Sequence, residues 1–151
     1  MYKHTQIGWG IVIIFGLLAL LAYFKILGND GAEGVVYGIL LLVTMLFAEL
    51  TVTVDDQYVR LRFGLFGLPR RKFKLQEIQS CRTVKNTMFA ISLGIHYGRN
   101  ASLYNVSGPR AVELTMKNGR IVNVGTDEPD RLAAALNLRL QDGRGEQHDP
   151  A

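Results

Sequence analysis

The sequence predicts an α+β membrane protein: an N-terminal two-helix transmembrane hairpin, then a small basic domain of short antiparallel strands closed by a C-terminal helix. Three observations lead there. Two long apolar stretches fill residues 7–47, whereas nearly all the charge lies beyond Asp55. From Leu50 onward the apolar period falls to two, and after Gly125 it becomes helical again. The expected division is a hairpin over 1–49 (helices about 7–27 and 34–49), a β-domain over 50–140 and a disordered polar tail over 141–151. A chain of 151 residues has room for one small domain and little more.

The first stretch, Ile7 to Leu27, spans 21 residues, close to the ~20 that cross a hydrocarbon core as a helix. Thirteen of them are Leu, Ile, Val or Phe. On the insertion scale they contribute about −4 to −8 kcal/mol. Lys25 lies near one end, where its stem can snorkel, and Trp9 and Tyr23 sit near the two interfaces. A signal peptide fits less well, because the apolar run exceeds the usual h-region and no small-x-small cleavage site follows.

The second stretch, Gly34 to Leu50, has 17 residues, at the lower limit for a span, and Glu49 opposes insertion at its edge. A buried core helix and a re-entrant segment compete with a span here. The short GNDGAEG connection, rich in turn residues, favours a hairpin. Gly34 and Gly38 are spaced for close helix packing.

Lys and Arg are absent from that connection, whereas Arg60, Arg62, Arg70, Arg71 and Lys72 follow the second stretch. The positive-inside rule then places both termini in the cytoplasm, as a multi-pass protein of a bacterial inner membrane. The single cysteine, Cys81, excludes an intramolecular disulfide and fits a reducing compartment.

In the β-domain, Leu50, Val52 and Val54 alternate with Thr51 and Thr53. Beyond the Asp55-Asp56 turn, Val59, Leu61 and Phe63 alternate with Tyr58, Arg60 and Arg62. Gly64, Gly67 and Pro69 mark the next turn, before Phe73 and Leu75 alternate with Lys72 and Lys74. Further strands are expected over Ser80–Thr87, Val112–Met116 and Arg120–Gly125, the last two joined at Lys117-Asn118-Gly119. Thr126 or Asp127 caps a final helix that carries Leu132, Leu136 and Leu140 on one face.

The run LTVTVDDQYVRLRFGLFGLPRRKFKLQEIQS, with its strand-turn-strand opening and F-G-x-x-x-x-x-R-(R/K) turn, resembles the membrane-anchored bacterial pleckstrin-homology-like (PH-like) proteins. The later SGPRAVEL strand and the GTDEP helix start are similar to that family's second half. His96 stands where the family usually has Arg. The resemblance, over roughly residues 7–140, implies a PH-like β-barrel or sandwich of about seven strands with a C-terminal helix. It implies no catalytic activity, and the family has no agreed ligand. In eukaryotic PH domains the open end of the barrel can bind phosphoinositides through basic side chains; Arg70, Arg71 and Lys72 occupy a comparable turn here.

Residue chemistry points away from an enzyme. His4, His96 and His148 lie in three distant segments, and no nucleophile elbow, phosphate loop or dinucleotide fingerprint is present. No metal or cofactor is expected. Asp127, Glu128 and Asp130 are explained by their place at a helix start. Charge stands out instead. Between Gln57 and Arg99 lie nine basic residues against the single acid Glu77, giving +8 where the whole chain carries +4.

Arg60, Arg62, Arg70, Arg71, Lys72, Lys74, Arg82 and Lys85 are the candidate contacts for anionic phospholipid headgroups or a protein partner. The same excess also satisfies the positive-inside rule, so topology and lipid contact both account for it. The expected function is a non-enzymatic, membrane-anchored interaction module, with self-assembly through an exposed sheet edge as one form of it. An accessory or regulatory subunit, contacting a membrane enzyme or transporter through the hairpin at Gly34 and Gly38, is the alternative. The expected partners are a membrane, anionic headgroups, and another protein or a second copy, with no nucleic acid.

Overall fold

Strand structure begins at Tyr2, far ahead of Leu50. In the computed structural model, which describes residues 1–26, 32–87 and 92–145, Tyr2–Ile7 form strand β1. This strand pairs antiparallel with β2 (Glu49–Val54) from Tyr2↔Val54 to Ile7↔Glu49. The side chain of Gln6, only 2% exposed, holds it in place. Its Nε2 donates to the Gly125 carbonyl at 2.6 Å, and its Oε1 accepts the Asp127 N–H at 3.0 Å. A buried amide satisfied at both ends is the arrangement that burial of a polar group requires.

Strands β3 (Tyr58–Phe63) and β4 (Arg70–Lys74) complete an antiparallel sheet of order β1-β2-β3-β4. Asp55 shapes the β2–β3 turn by accepting the Gln57 and Tyr58 N–H groups at 3.0 and 2.7 Å. Partial burial pushes its carboxyl up, but those two amides and Arg60 outweigh it and hold it below the ordinary carboxylate value. A 3-10 turn at Leu75–Glu77 leads into the second sheet. That sheet contains β5 (Ile78–Lys85), β6 (Gly94–Tyr97), β7 (Ala101–Asn105), β8 (Arg110–Met116) and β9 (Ile121–Gly125). Its order is β5-β8-β9-β7-β6, with β7 and β9 parallel.

The two sheets share one core. Leu50, Val52, Val59, Leu61 and Phe63 from the first meet Tyr104, Val112, Leu114 and Val124 from the second. Phe63 and Phe73 each contact the Tyr104 ring, at centroid distances of 6.3 and 5.9 Å. Helix α3 (Pro129–Gly145) packs on β5 and β8 and delivers Leu132 and Leu136 to the core. Thr126 caps its approach by accepting the Glu128 N–H at 3.1 Å. The expected tail from residue 141 is therefore helical as far as Gly145, and residues 146–151 lie outside those described.

Helices α1 (Trp9–Ile26) and α2 (Ala32–Phe47) pack against each other. They correct the expected transmembrane hairpin. No helix among the described residues is long and apolar enough to cross a membrane. At ~1.5 Å per residue their 18 and 16 residues reach about 27 and 24 Å, short of a ~30 Å hydrocarbon core. The apolar runs were longer than the helices because their ends belong to strands: Ile7 closes β1, and Glu49 and Leu50 open β2. Among the described residues the fold is accordingly a small α+β arrangement with three helices and two sheets. With the hairpin goes the multi-pass inner-membrane placement with cytoplasmic termini. Of the GNDGAEG connection used to orient that hairpin, residues 28–31 lie outside those described, and Ala32 to Gly34 belong to α2. Ile11 enters the core, with Phe15 and Phe47 packed against it, while Phe24 and Val35 stay 66% and 65% exposed.

The strand total also departs from expectation, with nine rather than about seven among the described residues. The additions include β1 and the short β6 and β7, whose segments lack a clean alternation in sequence.

Candidate functional site

The outer face of the first sheet gathers the basic residues in rows. In β3, Val59, Leu61 and Phe63 point into the core, so Tyr58, Arg60 and Arg62 point out. Residues opposite each other on antiparallel strands share a face. One row therefore runs Lys72, Arg60, Thr53, Lys3, and the next runs Arg70, Arg62, Thr51, Thr5. Tyr58 and Lys74 form a third pair. The Thr5 and Thr51 hydroxyls touch at 2.8 Å, as side chains of one face should.

Some of this charge is already engaged. Arg60 pairs with Asp55 at 2.9 Å, and Lys74 lies 3.9 Å from Glu77. Arg60 and Lys72 approach the Tyr58 ring at 5.8 and 5.2 Å from its centroid, a cation–π arrangement that holds both over the face. Arg62, Arg70 and Lys72 have no acidic partner among the described residues. An open groove of about 440 Å³ is lined by Arg60, Leu61, Arg62, Arg70, Arg71 and Lys72.

Arg71 differs from its neighbours. It lies opposite Leu61, in the core-facing register at the sheet edge, and donates to the Tyr97 hydroxyl at 2.8 Å. That bond joins β4 to β6, the edge strands of the two sheets. Hydrogen bonding with Tyr104, and then Arg71, holds the Tyr97 hydroxyl below its usual value. Burial, reinforced by Tyr97, pushes Tyr104 up to about 12. Arg71 thus serves the junction of the sheets as well as the groove.

The remaining sequence candidates lie elsewhere. Arg82 and Lys85 are on β5, in the second sheet, and Arg82 is paired with Glu113 at 2.7 Å. On α2, a methyl group placed on Gly34 or Gly38 would meet no atom within 4 Å, so neither glycine serves the packing of α1 against α2. Lys3 was missed as a member of the face. Its segment, Tyr2 to Ile7, alternates in burial but has no alternation of apolar and polar residues that the sequence could show.

Residues that would carry covalent chemistry are held apart. Cys81 on β5 and His96 on β6 lie at opposite edges of the second sheet. The Cys81 thiol contacts Asn137 Oδ1 at 3.2 Å, and burial pushes its pKa up, away from nucleophilic use. His4 is bound between Asp127 (2.7 Å) and Glu128 (3.5 Å), which ties β1 to the start of α3. Among the described residues no group of three His, Cys, Asp or Glu side chains has an arrangement that could hold a metal ion.

No protein-family model matches this sequence, and no curated protein matches it either.

Proposed function

We propose that this chain is a non-enzymatic PH-like module whose outer sheet face binds anionic lipid headgroups. The observation that carries the reading is the placement of Lys3, Arg60, Arg62, Arg70, Lys72 and Lys74 on one face, with four of the six (Lys3, Arg62, Arg70 and Lys72) free of acidic partners among the described residues. Like charges directly opposite each other weaken a sheet. Holding Arg62 against Arg70 and Arg60 against Lys72 therefore costs stability that an anionic surface would return. Each cation close to such a surface contributes about 1 kcal/mol, within a Debye length of about 8 Å at physiological salt. Four such cations give about 4 kcal/mol, which suits reversible attachment. The threonines between them offer hydroxyls to phosphate oxygens. The PH-like reading rests on the sequence resemblance, alongside two sheets around one core and a C-terminal helix.

The test is co-sedimentation of the full chain with vesicles containing phosphatidylglycerol, compared with phosphatidylcholine alone. Salt-sensitive preference for the anionic vesicles supports the reading, and equal binding to both counts against it.

A second reading, an accessory subunit that docks on a partner protein through α2, draws on the open space beside Gly34 and Gly38 and the exposed Val35, Val36 and Ile39. Gly34→Leu with Gly38→Leu should abolish partner recovery if it holds, and should leave vesicle binding unchanged otherwise.

A further inference from the structure

The turn between β3 and β4 is built unlike an ordinary solvated loop. Leu65, Phe66 and Leu68 are 65%, 67% and 47% exposed, three large apolar side chains within four residues. The turn that presents them is fixed. The Gly64 N–H donates to the Glu49 carbonyl at the start of β2 at 2.8 Å, and the Leu65 N–H donates to the Met45 carbonyl in the last turn of α2 at 3.1 Å, which seats the turn against both. The Gly67 N–H closes back on Gly64 at 3.1 Å, and both glycines have φ near +65°. A side chain at Gly64 would strike the Met45 carbonyl, so only glycine permits this approach. Exposed apolar groups on a preordered turn lose little further entropy when they enter another phase.

The base of the same turn is cationic. Arg62 and Arg70 form the cross-strand pair nearest the turn, and the Arg62 stem lies alongside Gly67. An apolar tip with guanidinium groups at its base matches the profile of a lipid interface, where acyl chains lie beneath phosphates. A protein partner would not require cations in that rim. We infer that Leu65, Phe66 and Leu68 form a tip that inserts into the headgroup–acyl boundary of an anionic lipid surface while Arg62 and Arg70 engage the phosphates. This rests on the lipid-binding reading and adds depth and orientation to it. Charge alone gives an adsorbed domain that salt releases. An inserted apolar tip supplies the second attachment that stable peripheral binding requires.

The experiment places an indole at the tip. Trp9 is the only tryptophan of the chain, so Phe66→Trp in a Trp9→Phe background reports from one place. The probe is vesicles of phosphatidylglycerol and phosphatidylcholine in equal parts, with acyl chains brominated in a second set. The expected result is a blue shift on anionic vesicles and quenching by the brominated chains. Phe66→Asp should lower partitioning about tenfold, the loss expected for one aromatic kept out of an apolar phase. Anionic-selective binding with an unshifted, unquenched indole would overturn the insertion and leave the lipid-binding function standing. No anionic-selective binding overturns both. An indole shifted without lipid in a chain that sediments as a dimer assigns the tip to a second copy, which also overturns the proposal.

Discussion

Arg62 on β3 and Arg70 on β4 stand directly opposite each other beside the turn, and neither meets an acidic side chain among the described residues. Two guanidinium groups held this way oppose folding and favour an anionic partner. Stability and binding should therefore respond in opposite directions at this pair. Arg62→Gln or Arg70→Gln is expected to raise stability by about 0.2–1 kcal/mol. The same variants should bind anionic vesicles more weakly. Urea unfolding and vesicle co-sedimentation on one preparation check both signs.

Arg82 provides the contrast. It is as basic as Arg62 but lies on the second sheet, paired with Glu113. Arg82→Gln should leave vesicle binding unchanged and lower stability by at most about 1 kcal/mol, the range of an exposed ion pair. A loss of binding equal to that of Arg62→Gln would show that total charge matters rather than its placement.

Gln6 docks β1 against the second sheet and the start of α3 through Gly125 and Asp127. Gln6→Ala leaves those backbone groups without their partner and should cost about 1–3 kcal/mol in urea unfolding. Because β1 carries Lys3 into the basic face, the same change should also weaken vesicle binding near the denaturation midpoint. An unaltered midpoint would mean that β1 adds nothing to the stability of the sheets.

Tyr2 gives a pH dependence. Burial, then Glu128 and Asp127, push its hydroxyl up to about 12 from the ordinary 10.0. A folded value above the unfolded one means a contribution that is intact below pH 10 and lost as pH rises through about 12. That hydroxyl is buried without a partner among the described residues. Tyr2→Phe should therefore be neutral or stabilising at pH 7 and should flatten the alkaline decline. Unfolding followed from pH 9 to about 12 tests it, and an unchanged alkaline slope contradicts it.

Much of the first sheet was legible in the sequence. Leu50, Val52 and Val54, then Val59, Leu61 and Phe63, alternate because one face is apolar and the other wet, and they are buried as that pattern requires. Leu132 and Leu136 likewise mark the inner side of α3. β1 was illegible for a physical reason. Its inward residues are Tyr2, His4 and Gln6, while its one aliphatic residue, Ile7, points out, so the pattern is inverted and then runs into a long apolar stretch. That stretch misled in turn, because hydropathy sums carry no information on where a helix yields to a strand. For the site, a charge count found Arg60, Arg62, Arg70 and Lys72 but could not separate them from Arg82 and Lys85. Only strand pairing divides those residues between two sheets.

The central claim is that the outer face of the first sheet recognises anionic surfaces by placed charge. The most direct measurement is the affinity of the full chain for phosphatidylglycerol-containing vesicles as salt is raised, compared with Arg62→Gln/Arg70→Gln/Lys72→Gln. Three contacts at about 1 kcal/mol each predict roughly a hundredfold weaker binding for the triple variant at low salt, with a shallower salt dependence. Equal affinity and an equal salt slope for the two chains would contradict the account.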